Sequence, residues 1–143
     1  MPTSARVFID STILLYAVDK SDSARRATAR KILRDLIRSG KGVVSTQVAQ
    51  EFYAIATRKL GVEPLAAKRV VELLRQIEVV SMDLELVCGA IDCSIRSKIS
   101  FGDALIVTTA RAASCREVLS EDLSHSQVIN GVRIVNPFKA ARK

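Results

Sequence analysis

Short apolar runs and helical stripes alternate along the chain. Arg6-Val7-Phe8-Ile9 is a brief, β-branched run closed by Asp10, the signature of a buried strand. Similar runs stand at Val43-Val44, Val79-Val80, Glu117 to Leu119 and Val132 to Val135. Between them, apolar residues recur at helical spacing. Asp10-Ser11 opens a helix carrying Ile13, Leu14 and Ala17. Asp22 or Ser23 opens a longer one carrying Ala29, Ile32, Leu33 and Leu36, which Gly40 ends. Ser45 or Thr46 caps a third, with Val48, Phe52, Ile55 and Ala56 on its stripe and Gly61 at its close. Pro64 starts a fourth, with Val70, Leu73, Leu74 and Ile77 expected inward. Asp83 caps a fifth through Leu86, Ala90 and Ile91, and Ser100 a sixth through Ala104, Leu105, Val107 and Ala110. Strands alternating with helices predict an α/β fold of three layers, a central parallel sheet of four to five strands with helices on both faces. In such folds, ligands bind beyond the carboxyl ends of the strands.

The 143 residues suit a single domain, 1–143, with no repeat or Gly/Ser linker to divide it. Hydrophobic residues make up 48%, which excludes a disordered chain. No apolar run approaches the roughly 18 residues of a membrane span. The start, MPTSARVFID, has no signal-peptide pattern, and Cys88, Cys93 and Cys115 are odd in number and scattered. Reduced thiols and a cytoplasmic location are therefore expected. Charge alters the picture: 22 Lys and Arg against 15 Asp and Glu leave +7, which favours an anionic partner such as nucleic acid or serves solubility alone.

The positions of the acids are more informative. Asp10 directly follows the first strand and Asp122 closely follows the fourth, so both belong to the carboxyl edge of the sheet. Val48, Glu51 and Ile55 share i, i+3, i+7 spacing, as do Asp103, Ile106 and Ala110, so both acids touch a buried stripe. An unneutralised carboxylate there is costly. Three of the acids have a structural reading: Asp10 as a helix cap, Asp103 as a complement to a helix dipole, Glu51 in a border salt bridge with a residue such as Arg58. Together they form a self-repelling set on four elements, which calls for a divalent cation; all-oxygen ligation suits Mg²⁺ or Mn²⁺.

Other chemistries lack their parts. Gly40-Lys41-Gly42 does not have P-loop spacing. One histidine and scattered cysteines do not build a usual zinc site. Ser120, Asp122 and His125 share one loop, which does not make a triad, and His125 reads as a loop-packing residue. A phosphoryl-acceptor receiver would usually carry an acidic pair after its first strand, absent from Arg6 to Asp10. Arg30, Arg34 and Arg38 line one side of the second helix, either to grip phosphates or as a solvated face. Tyr16, Phe52, Tyr53 and Phe101 are expected mostly in the core.

Four segments resemble the acidic motifs of the PIN domain: Phe8-Ile9-Asp10-Ser11, Val48-Ala49-Gln50-Glu51-Phe52, Ser100-Phe101-Gly102-Asp103-Ala104-Leu105-Ile106 and Ser120-Glu121-Asp122-Leu123. The ending Gly131 to Phe138 resembles that family's last strand and tail, and the length is similar to free-standing VapC-type toxins of toxin–antitoxin pairs. The resemblance implies a three-layer α/β/α fold and a Mg²⁺- or Mn²⁺-dependent ribonuclease that acts on RNA. It implies inhibition by a cognate antitoxin, and homodimers, for which the third and fourth helices are the expected surface. It places catalytic and metal-binding roles on Asp10, Glu51, Asp103 and Asp122, with Asp10 and Asp103 central. Thr12 stands where the family usually has Asn, and a hydroxyl donates one hydrogen bond where an amide donates two. Thr12 and Ser120 are expected to orient the acids or their waters. A non-catalytic RNA- or protein-binding module and a structure-selective DNA nuclease are the alternative functions on this fold.

Overall fold

The structure is a computed structural model and describes residues 5–123 and 127–140. The strands are β1 (Arg6–Ile9), β2 (Gly42–Ser45), β3 (Glu78–Val80), β4 (Cys115–Leu119), β5 (Val128–Ile129) and β6 (Val132–Val135). The helices are α1 (Ser11–Val18), α2 (Ser23–Ser39), α3 (Thr46–Arg58), α4 (Pro64–Leu73), α5 (Leu84–Ser97), α6 (Phe101–Ala112) and α7 (Pro137–Ala140), with a 3₁₀ turn at Leu74–Gln76. One six-stranded sheet has the order β3-β2-β1-β4-β6-β5. The strands run parallel except β5, which pairs antiparallel with β6. The sequence pattern misses β5: it is two residues long, and only Ile129 of the two is buried.

Helix starts follow the cap chemistry. Asp22 accepts from the Arg25 N–H, Ser45 from Val48, Asp83 from Leu86 and Ser100 from Asp103. Asp22 and Ser45 are thereby the caps, ahead of Ser23 and Thr46. Gly40 ends α2 at φ 74°, a conformation that suits a residue without Cβ.

Neighbouring residues of β1 feed opposite faces of the sheet. Phe8 enters the larger core with Val43, Val44, Val48, Phe52, Val107, Val118 and Ile134. Ile9 enters a smaller core with Ile13, Ala17, Ala29 and Phe138, supplied by α1, α2 and α7. This is the three-layer arrangement, with helices on both faces.

Several apolar residues expected inside lie outside. Leu73 is exposed because Ala67 and Leu74 supply the buried side of that segment. Ile91 is exposed because α5 buries Ala90 and Cys93 instead. Leu84, Cys88, Ile91 and Ile95, spaced i, i+4, i+7, i+11, form a second apolar stripe on the solvent side of α5. Phe101 and Tyr53 are also exposed, so the core claims Phe52 but not these two aromatics. Among the described residues no helix is long and apolar enough to cross a membrane. His125 lies outside the described residues.

Candidate active site

Strand order identifies the functional edge. From β1 the chain moves to β2 and β3 on one side, then returns to β4 and β6 on the other. The order therefore reverses between β1 and β4, and ligands favour the crevice beyond the carboxyl ends at such a point. Asp10 follows β1 and Ser120-Glu121-Asp122 follows β4, so the two acid-bearing segments flank this crevice. The Asp10 N–H donates to the Leu119 carbonyl at 3.0 Å, which carries the strand pairing up to the acid itself.

The remaining acids reach the same edge by topology. Helix α3 begins directly after β2, so it starts at the carboxyl edge, and Glu51 sits a turn and a half along it, about 8 Å from the start. Helix α6 leads into β4, so its first turn, with Asp103, also lies at that edge. Asp103 is half-buried, and its N–H donates to Ser100 Oγ at 3.1 Å.

Asp10 is 5% exposed and fully engaged. Its Oδ1 accepts from the Ser11 N–H at 2.7 Å, and its Oδ2 accepts from Ser120 Oγ at 2.6 Å. Burial pushes the Asp10 carboxyl up from its ordinary 3.8 to about 6; the two hydrogen bonds oppose that rise, and the negative charges of Asp122 and Glu51 add to it. Asp122 and Glu51 thus lie near enough for their charges to act on Asp10. Among the described residues no hydrogen bond joins Asp103 to Asp10, and no three His, Cys, Asp or Glu side chains stand as a closed metal-ligating cluster.

Ser120 organises the loop as well as Asp10. Its hydroxyl donates to Asp10 and accepts from the N–H groups of Asp122 at 3.1 Å and Leu123 at 3.4 Å. Thr12 is buried and its Oγ1 accepts from the Glu121 N–H at 3.1 Å, so it anchors the loop after β4. Sequence reasoning expected both residues at the acids; it did not foresee that Thr12 would act as acceptor for the loop. Glu51 Oε2 accepts from Gln47 Nε2 at 3.2 Å, and no ion pair joins it to Arg58 among the described residues. Arg30, Arg34 and Arg38 are exposed, and Arg30 Nε donates to the Ala17 carbonyl at 2.8 Å.

Three contributors escaped the sequence reading. Gln47 contacts Glu51 one helical turn later, and that i, i+4 spacing was available as a signal. Arg25 and Tyr16 both bind Glu121, across about a hundred positions, and no local pattern reports such a contact.

A three-layer α/β/α sandwich, with Asp10 and Ser120 bonded to each other at the crevice between its two central strands, defines the class of this protein. The chain belongs to the PIN domain family, whose model matches residues 7–130. No curated protein sequence matches the chain. Among solved structures it is similar to VapC20 of Mycobacterium tuberculosis, a sarcin-ricin loop cleaving toxin, with 22% identity and a TM-score of 0.68 over 89% of this chain and 98% of that one. A toxin–antitoxin complex from Klebsiella pneumoniae matches with 18% identity and a TM-score of 0.69 over 92% and 97%. DNA-bound VapBC from Salmonella typhimurium matches with 16% identity and a TM-score of 0.68 over 93% and 98%. At these identities the three structures establish the shared fold.

Proposed function

We propose that this protein is a VapC-type toxin, a metal-dependent endoribonuclease restrained by a cognate antitoxin. The observation that carries the reading is Asp10: a buried carboxylate at the switch point of a PIN fold, pressed by the charges of Asp122 and Glu51. Such a group is poorly placed without a cation. The donor set is all oxygen, which fits Mg²⁺ or Mn²⁺. Asp10 and Asp103 would hold the ion, with Glu51 and Asp122 completing the site directly or through water. Held by these acids, a divalent ion would supply a more acidic bound water and neutralise charge developing on a phosphodiester.

The chain's own residues prepare that site. The Ser11 N–H and Ser120 Oγ fix both oxygens of Asp10, so its orientation does not have to be won during binding. Thr12 and Ser120 fix the loop that presents Asp122. The net charge of +7 favours an RNA substrate in solution.

The antitoxin reading has its own support. A groove of about 520 Å³ lies between the α1–α2 region and the segment joining α3 to α4, lined by Val18, Lys20, Arg30, Leu60, Val62 and Val70. Its apolar floor and charged rim suit an amphipathic helix. A further segment of the antitoxin that reached the acids would pair an arginine with them bidentately and compete with the ion. Two copies of the chain would pair through α3 and α4, where Tyr53, Leu60, Leu65 and Leu73 are exposed. The reading places the protein in the cytoplasm.

The test is cleavage of single-stranded and hairpin RNA by purified protein. Activity should require Mg²⁺ or Mn²⁺, stop in EDTA and be lost in folded Asp10→Ala. Cleavage that persists in EDTA, or in that variant, would overturn the proposal.

A further inference from the structure

Two carboxylates follow Ser120 in direct succession, Glu121 and Asp122, and they are treated very differently. Glu121 Oε1 accepts from the Tyr16 hydroxyl at 2.6 Å, and Glu121 Oε2 forms an ion pair with Arg25. Arg25 also donates to the Tyr16 hydroxyl at 2.8 Å and reaches Asp22, the cap of its own helix, at 3.4 Å. Its guanidinium stacks 5.1 Å from the centre of the Tyr16 ring and 5.5 Å from that of Phe138, whose rings meet edge to face at 4.8 Å. Arg25 and Glu121 are each about a quarter exposed, so their pairing is partly shielded from solvent. Asp122 is exposed and has no ion pair among the described residues.

We infer that Arg25 is a positioning residue: by clamping Glu121 with Tyr16, it removes that carboxylate from the acid site and sets the backbone that presents Asp122. The connection is continuous. The Glu121 N–H is held by Thr12, the Asp122 and Leu123 N–H groups by Ser120, and Ser120 by Asp10. Side chains from α1 and α2 therefore hold the outer side of a loop whose inner side is bonded to the candidate ligand. Arg25 suits the task because its planar fork engages two acids and a hydroxyl while stacking on rings. Lysine keeps the charge and loses the fork. Without the clamp, Glu121 would add a second negative charge beside Asp122 and the loop would lose its outer anchor.

The inference rests on the metal-site reading above, and its test separates the two. Arg25→Gln, Glu121→Gln, Tyr16→Phe and Arg25→Lys are compared with wild type and with Asp10→Asn. The first readout is hydrogen exchange at the Glu121, Asp122 and Leu123 amides, which does not depend on activity. Arg25→Gln should speed these amides about tenfold or more while β1 and β4 amides keep their protection. The second readout is Mn²⁺ dependence. Half-saturation of binding and of RNA cleavage should move to about tenfold higher Mn²⁺ in Arg25→Gln, with kcat at saturating metal within about threefold of wild type. Glu121→Gln should shift both readouts in the same direction, Tyr16→Phe less, and Arg25→Lys should recover part of the loss. Unchanged loop exchange in Arg25→Gln would overturn the clamp. Faster exchange with unchanged Mn²⁺ half-saturation would overturn its positioning role. Asp10→Asn that binds Mn²⁺ like wild type would instead overturn the metal-site reading, while the exchange data would still judge the clamp.

Discussion

Replacing Asp10 by Asn should stabilise the metal-free protein at neutral pH. The Asp10 carboxyl rises from 3.8 to about 6 on folding, chiefly through burial. A group that binds its proton more tightly when folded makes the native state less stable as pH rises through the window between those values. At about 1.4 kcal/mol per tenfold change in proton affinity, the ionised carboxylate costs about 3 kcal/mol above pH 7. The amide of Asn carries no charge, but it offsets part of the gain. Its NH₂ would donate to Ser120 Oγ, which already accepts from Asp122 and Leu123, and the serine proton would lose its acceptor, at a cost of about 1 kcal/mol. The net gain at pH 7.5 is then about 1–2 kcal/mol, or roughly 3–8 °C in Tm for a domain of this size. The assay is urea unfolding in EDTA at pH 7.5 and pH 4.5. At pH 4.5 wild-type Asp10 is protonated in the native state, so the variant's advantage should fall by about 2 kcal/mol between the two pH values. A difference between variant and wild type that stays constant with pH would show that Asp10 does not carry a raised pKa, and the electrostatic argument for a cation would fail.

Further outcomes follow from the same contacts. Ser120→Ala should lower metal affinity, because it frees Asp10 Oδ2 and two loop amides at once, and should destabilise the protein by about 1–3 kcal/mol in denaturant titration. Mn²⁺ affinity should fall as pH drops through about 6, since a proton on Asp10 competes with the ion; a flat affinity between pH 5 and 8 would contradict this. For assembly, Tyr53→Asp with Leu73→Asp should give a monomer by light scattering; a monomer produced instead by Ile91→Asp with Ile95→Asp would move the interface to the outer stripe of α5. Val62→Asp or Val70→Asp, in the groove beside α1 and α2, should weaken capture of the proposed antitoxin at least tenfold without changing RNA cleavage by the folded, partner-free protein.

The parts of this fold that follow local rules were legible in the sequence. Asp22, Ser45, Asp83 and Ser100 mark helix starts because each cap bond spans three residues, and β1 stands out because Val7, Phe8 and Ile9 are apolar in succession and so serve both faces of the sheet. Ser120 was recognisable from its place at the end of β4, and Asp10 from its place after β1. The two-residue β5 was not, since a strand that short has no period to read. Apolar residues misled where a helix carries two stripes, as α5 does: Ala90 and Cys93 pack inward while the larger Leu84, Ile91 and Ile95 face solvent. The clamp of Arg25 and Tyr16 on Glu121 was invisible because its partners are far apart in the chain, and Tyr16 resembled a core aromatic until its hydroxyl partners were known.

Direct titration of Mn²⁺ into the apo protein tests the central claim, that the acids at the β1–β4 switch point form a divalent-metal site. Wild type, Asp10→Asn, Asp103→Asn, Glu51→Gln and Asp122→Asn would each be titrated at pH 7.5, with folding checked by circular dichroism. The account predicts weak, saturable binding in wild type, no measurable binding in Asp10→Asn or Asp103→Asn, and reduced affinity in Glu51→Gln and Asp122→Asn. Wild-type affinity in folded Asp10→Asn and Asp103→Asn would contradict it.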